Sequence, residues 1–273
     1  EETNGRCVLR VEHPMPITKR RCAMTKSVDG SRYIPGTHVQ RRPDAAQRVE
    51  HFVREWEQSA KKTRKRGKAP ARLPASISFS RKIGVGALEI AEMLSQKLEY
   101  RVADRIIIDK IATDTELGRK TVAFFDERYP GKLNELGAFL FGEKSFVMSD
   151  YMHHLVSAVF SLADSEATIF VGRGTHLILP RDRVLAVRCI SSREYRIKRV
   201  ADILGISKTD AERELVQADK EQRHFFKKAF GKKDAPPDEF DMVINCDFLS
   251  HPESAANVIQ QAFISKFSDF EKA

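Results

Sequence analysis

No stretch of the 273 residues approaches the ~18 consecutive apolar residues that mark a membrane-spanning helix, so the sequence offers no candidate span. Cysteine is scarce. Cys7, Cys22, Cys189 and Cys246 form no C-x-x-C pair and join no histidine cluster, which argues against a zinc site and suits a reducing cytoplasm. Cys189 and Cys246 fall in expected strands, as ordinary buried thiols. Cysteine usage of this kind makes a cytoplasmic location the expectation, and the start, Glu1 to Gly5, lacks the basic residues and apolar run of a signal peptide. Tryptophan occurs once, at Trp56. What the chain does have is 41% hydrophobic residues, enough for a core in one large domain or a domain with an extension.

Its net charge of +9 is unevenly placed. Residues 1–73 carry 18 Lys+Arg against 8 Asp+Glu, whereas residues 74–273 carry 29 against 30. The positive excess therefore belongs to a basic N-terminal extension, residues 1–73, and a near-neutral domain follows over 74–273. Within the extension, Pro14, Pro16, Gly30, Pro35 and Gly36 break any periodicity in residues 1–42. Val49, Phe52, Val53 and Trp56 fall on one face of a helix expected over 43–60, either docked on the main domain or open to a partner. Seven of the twelve residues 61–72 are cationic. Such a run reads as a solvated linker. It can also bind a nucleic acid such as RNA, or another acidic partner, through a salt-dependent, sequence-blind attraction.

From residue 74 onward strands and helices alternate. Strands are expected at Ser76–Ser80, Tyr100–Asp104, Ala167–Val171, Val184–Ile190 and Met242–Asn245. Helices are expected at Leu88–Leu98, Arg105–Thr113, Met148–Ala163, Glu194–Leu204, from Ser207 towards Phe230, and at Pro252–Phe267, with helical pieces and turns over 114–147. The alternation predicts a parallel sheet with right-handed crossovers and ligands at the carboxyl ends of its strands.

Three polar stretches fall at those ends: Ser80–Gly86, Gly172–Gly174 and Ser191–Arg193. The first lies in a strand–turn–helix unit, where Gly84 and Gly86 open a turn ahead of Leu88. That geometry aims backbone N–H groups at an anion such as phosphate. A full phosphate loop reads Gly-x-x-x-x-Gly-Lys-Ser/Thr; here Ala87 stands at the lysine and Leu88 at the Ser/Thr. Alone, two glycines there suit a plain turn better than a nucleotide site. Arg173, between two glycines after an apolar strand, can meet a phosphate with its planar fork or pair with a nearby acid. Asp104 can read a substrate amino or hydroxyl group or cap the helix that begins with Arg105.

Arg193, Arg196 and Arg199 recur at three-residue spacing, with Lys198 beside them. Three cations on one helix face repel unless solvent or an anion relieves them. Asp219, Lys220, Arg223, Lys227 and Lys228 continue the charged pattern in the next helix, and Lys232 and Lys233 follow it. Together they read as a mobile basic lid over the sheet.

With these residues assembled, residues 74–267 resemble the cytidylate kinase-like family of P-loop nucleoside monophosphate kinases. The opening loop, Ile77-Ser78-Phe79-Ser80-Arg81-Lys82-Ile83-Gly84-Val85-Gly86-Ala87-Leu88-Glu89-Ile90-Ala91, looks like the family's Ile-Ser-Arg-Glu-Phe-Gly-Ser-Gly-Gly-Arg-Glu-Ile. Further landmarks follow in order: Val102-Ala103-Asp104-Arg105, Phe125-Asp126-Glu127-Arg128, Phe170-Val171-Gly172-Arg173-Gly174, Arg196-Ile197-Lys198-Arg199-Val200, Asp219-Lys220 with Arg223, and Phe240 to Asn245.

The resemblance implies a three-layer α/β fold, P-loop NTPase-like, with a central parallel sheet and a helical lid. It implies transfer of the γ-phosphoryl group of ATP to a nucleoside monophosphate, CMP or dCMP, with Mg²⁺. The segment Ser80, Arg81, Lys82 and Gly84–Leu88 would then cradle ATP. Arg173 would hold the acceptor phosphate, with Asp104, Arg105 and Asp219 near the acceptor. Arg193, Arg196, Arg199 and Arg223 would spread transition-state charge, in a reaction carried by positioning and charge neutralisation. The chain departs from the family loop at Val85 for serine, Ala87 for glycine and Leu88 for arginine. Loss of one charged contact to a transferring phosphoryl group is worth several kcal/mol. A second expectation therefore stands beside the first: a catalytically weak or inactive kinase-fold protein, a pseudoenzyme, acting as a nucleotide-binding or interaction module.

Overall fold

The computed structural model describes Glu50, His51, Arg54, Gln58 and residues 73–128, 150–249 and 251–268. All lie in the unit Tyr33–Ala273; the chain's other unit, Glu1–Arg32, contains no described residue. Glu50, His51, Arg54 and Gln58 are helical. The apolar face of that helix, the basic run 61–72, the arm 1–42 and the aromatic segment 129–149 lie outside the described residues.

Five strands form one sheet: β1 (Ser76–Arg81), β2 (Arg101–Asp104), β3 (Thr168–Val171), β4 (Val184–Ile190) and β5 (Met242–Asn245). Their order is β2-β3-β1-β4-β5 and every pairing is parallel. The helices are α1 (Ala87–Leu98), α2 (Arg105–Thr113), α3 (Thr115–Arg128), α4 (Asp150–Ser165), α5 (Thr175–Ile178), α6 (Arg193–Leu204), α7 (Lys208–Phe230) and α8 (Pro252–Phe267). Strand and helix bounds follow the sequence expectation closely. The short α5, directly after the Gly-Arg-Gly turn, has too few residues to show a period.

Parallel strands joined by crossover helices must be covered on both faces. One core, with Ile108, Leu155, Val159 and Phe170, forms with α2–α4, where Phe125 packs edge-on against Phe160 at 4.9 Å. The other, with Ile77, Phe79, Leu94 and Ile259, forms with α1 and α8. The result is a three-layer α/β domain.

β1 lies at the centre, and all six of its residues are buried. Its serine alternation therefore marks no wet face. Ser78 Oγ lies 2.6 Å from Thr175 Oγ1, and Ser80 Oγ accepts a bond from Arg188 Nη1 at 2.7 Å. Buried hydroxyls with partners avoid the penalty of an unmade bond. Ser207 caps α7 as its spacing with Asp210 predicts: the Asp210 N–H donates to Ser207 Oγ at 3.1 Å.

Candidate functional site: two clefts at the strand ends

β1 runs straight into the glycine turn. Gly84 and Gly86 have φ of +86° and +89°, a region that side chains with a Cβ rarely adopt. The space around them is also taken. A Cβ on Gly84 would sit 3.1 Å from Val200 Cγ2 on α6 and 3.3 Å from Leu215 Cδ2 on α7. On Gly86 it would sit 3.2 Å from the Arg199 guanidinium carbon. Ile83 is buried in the same contact, in a small core with Val200, Ala201, Ala211 and Leu215. The lid helices therefore close on the turn with an apolar seal. Arg199 lies where the helix-end dipole favours an anion, and it is held there by an ion pair with Glu89 in the first turn of α1.

The second turn, at the end of β3, is equally bent. Gly172, Arg173 and Gly174 have φ of +97°, +54° and +67°. Positive φ at a residue with a Cβ is sparsely populated and carries strain. It turns Arg173 back towards α2. There Arg173 Nε donates to Asp109 Oδ1 at 2.5 Å, and its Nη2 donates to Oδ2. The guanidinium carbon lies 4.1 Å over the Phe225 ring of α7. Arg105 Nε approaches the same carboxylate at 3.9 Å, and Tyr151 OH donates to it at 3.1 Å. Burial, then Arg173, pushes the Arg105 pKa down. Burial, then Asp109, pushes the Tyr151 phenol up. Between the two turns opens a cleft of about 230 Å³, lined by Ser80, Arg81, Arg105, Arg173, Glu221 and Phe225 among others.

This sheet order and these turns are matched in sequence by the model of the cytidylate kinase-like family, over residues 76–247. The chain belongs to the cytidylate kinase-like family. No curated protein matches it significantly in sequence. Among solved structures, an uncharacterized protein from Eubacterium ventriosum is similar at 17% identity and a TM-score of 0.53, covering 70% of this chain and 98% of that one. That likeness concerns the fold alone. Shikimate kinase from Bacteroides thetaiotaomicron (15% identity, TM-score 0.36, 69% and 97% covered) is also similar. So is dephospho-CoA kinase from Campylobacter jejuni (15%, 0.29, 69% and 97%). The last two superpose too loosely to carry an argument.

Set in this cytidylate kinase-like frame, the expected site residues divide into groups. Ser80, Arg81, Arg105 and Arg173 line the 230 Å³ cleft together. Lys82, Asp219 and Arg223 line a second cleft of about 80 Å³, with Arg188, Lys233 and Asp234. Gln222 and Phe226 form the wall shared by the two clefts. Val85, Ala87 and Leu88 are buried in the core against α1 and the sheet and line neither cleft.

The third polar strand end, Ser191–Arg193, does not converge with the other two. Ser192 caps α6 and bonds Asp247, while Arg193 reaches Glu212 at 2.7 Å. Asp104 takes the capping option: its Oδ1 accepts from the Ile106 and Ile107 N–H groups at 3.0 and 3.1 Å, and the residue is buried.

The crowding expected of the lid arginines is relieved from within the chain. Arg196 donates two bonds to Asp219, at 2.9 and 2.7 Å; Arg193 pairs with Glu212 and Arg199 with Glu89. Carboxylates on α7 and α1 supply the neutralising charge.

Sequence reasoning missed Asp109, Tyr151, Phe225 and Arg188. Asp109 carried a signal, lying four residues after Arg105 on α2. So did Arg188, the one charge in the otherwise apolar strand Val184–Ile190. Tyr151 and Phe225 carried none, because they reach the site only through packing.

The turn gives a poor fit to the ATP phosphates and Mg²⁺ that the family implies. Ala87 and Leu88 are apolar and buried where a full loop has lysine and a magnesium-holding hydroxyl. Glu89, the carboxylate in the first turn of α1, is engaged by Arg199. No described helix is long and apolar enough to cross a membrane.

Proposed function

We propose that this protein is a nucleoside monophosphate kinase-like phosphotransferase that accepts CMP or dCMP in the Arg105–Arg173 cleft and takes the γ-phosphoryl group from ATP. The reading is carried by one observation. Two arginines from the ends of β2 and β3 converge on a single carboxylate, Asp109, in a cleft at the carboxyl edge of the sheet. A monophosphate offers the same two-oxygen face as that carboxylate, at higher charge, and would compete for Arg173. Phe225 supplies a ring against the guanidinium that limits its rotation. In the transfer, an acceptor phosphate oxygen bonds to the γ-phosphorus as the bond to the ADP oxygen breaks. This chain's residues orient the acceptor and balance its charge.

A second reading, a weak or inactive kinase-fold protein that binds nucleotide, is favoured by a different observation. Ile83 and Val85 are buried, and Arg199 and Glu89 are already paired beside Gly86. A coupled assay with ATP, Mg²⁺ and CMP, dCMP, UMP or AMP in turn separates the two. Turnover with CMP or dCMP is expected; none with any acceptor sinks the phosphotransferase and leaves the binding module.

A further inference from the structure

The smaller cleft differs from the larger one in its charge. In the larger, Arg105 and Arg173 share Asp109, and the lid arginines Arg193, Arg196 and Arg199 each have a carboxylate. In the smaller, Lys82, Arg223 and Lys233 are exposed cations that form no ion pair with any described residue. The fourth, Arg188, rises from a central strand with its side chain only 10% exposed. A guanidinium so placed is expensive unless held on several sides. Its partners are neutral Ser80, the Phe240 ring 5.7 Å from its guanidinium carbon, and a single carboxylate, Asp234 at 3.0 Å, whose side chain is 71% exposed. Asp219, the other carboxylate of the cleft, is taken by both terminal nitrogens of Arg196. Four cations therefore face one exposed acid.

We propose that this cleft is an anion site that takes the terminal phosphate of a polyphosphate, in place of the sealed Gly84–Leu88 turn. Its volume of about 80 Å³ leaves room for a phosphoryl group, since roughly 10–15 Å³ of such volume already holds a water. The rest of such an anion would extend into solvent. Gln222 and Phe226 line this cleft and the larger one alike, and Gln222 is fixed by its bond to the Arg81 carbonyl oxygen at 2.6 Å. The two clefts thus hold two ligands side by side at the ends of β1, β3 and β4. The inference rests on the proposed function only in naming the polyphosphate as a nucleoside triphosphate.

The test is calorimetric titration of the full chain with inorganic tripolyphosphate and, separately, with ATP. Arg223→Gln/Lys233→Gln should weaken both by about tenfold or more and flatten the salt dependence of binding. Lys97→Gln/Lys110→Gln, which removes the same charge from exposed positions outside the cleft and the lid, should leave both within twofold. Absence of tripolyphosphate binding to the wild type overturns the site. So does equal weakening by the two double variants, which would mark a diffuse charge effect. Loss on Arg199→Gln with retention in Arg223→Gln/Lys233→Gln would place the anion on the turn and overturn it as well. CMP titration of the same variants keeps the two proposals apart. Tripolyphosphate held by the cleft without CMP binding supports the anion site while the acceptor reading fails. CMP binding without tripolyphosphate does the reverse.

Discussion

Arg173 and Asp109, 64 residues apart in sequence, meet through a two-pronged ion pair at the carboxyl edge of the sheet. The pair explains why a strained φ of +54° is tolerated at Arg173: the carboxylate and the Phe225 ring together fix where the guanidinium goes. Removing the carboxylate should leave Arg105 and Arg173 facing each other without the anion they share. Asp109→Asn is therefore expected to destabilise the protein by about 1–3 kcal/mol. CMP or inorganic phosphate should raise its melting temperature more than that of the wild type, because the ligand supplies the missing charge. Thermal melts with and without ligand check this; an equal rise in both proteins would separate Asp109 from the ligand site.

The apolar seal between turn and lid predicts an intolerant glycine. Gly84→Ala combines a left-handed backbone with a Cβ 3.1 Å from Val200 and 3.3 Å from Leu215. It should lower stability by about 1–3 kcal/mol in urea unfolding. Gly172, which has a similar φ but nothing within 4 Å of an added Cβ, should show only the backbone part of that loss.

Arg196 and Asp219 tie α6 to α7, and the Arg196 side chain is only 7% exposed. Arg196→Met alone strands a partly buried carboxylate, and a loss of about 3 kcal/mol is expected. Arg196→Met with Asp219→Leu removes both charges and should lose clearly less than the sum of the single variants. A double-mutant cycle by denaturant unfolding measures the coupling; strict additivity would contradict the pair's role.

His176 gives the fold a dependence on acid. Burial, then Arg188, Arg181 and Lys232, pushes its pKa down to about 3, although Glu239 Oε2 lies 3.5 Å from its Nε2. The unfolded chain gains the histidine proton as pH falls through ~6.5, while the folded chain resists it. The stability linked to His176 is thus complete above about pH 6.5 and is lost as pH falls towards 3, by up to about 1.4 kcal/mol per pH unit. His176→Gln should flatten the difference in unfolding free energy between pH 7 and pH 4.5. An unchanged slope would mean that His176 is not the group responsible.

Much of this architecture is legible in the sequence because it is written locally. The strands and crossover helices follow from runs such as Val184–Ile190 and from caps such as Ser207, and the Gly84 and Gly172–Gly174 turns announce themselves. The pairings across the site are not local. Arg199 finds Glu89 across 110 residues, and Arg173 finds Asp109 across 64. Helical spacing shows three arginines on one face but cannot show which carboxylates the sheet order brings opposite them. Nor can the serine alternation of β1 reveal that its polar face looks onto Thr175 and Arg188 and not onto water.

The central claim is that the cleft holding Arg173 receives a nucleoside monophosphate, and direct calorimetric titration with CMP tests it without depending on turnover. The wild type is expected to bind one CMP per chain. Arg173→Lys should bind it at least about tenfold more weakly, since an ammonium reproduces neither the two-pronged grip nor the stacking on Phe225. No heat with CMP or dCMP, in the presence or absence of ATP, or equal affinity in the two proteins, would contradict the account.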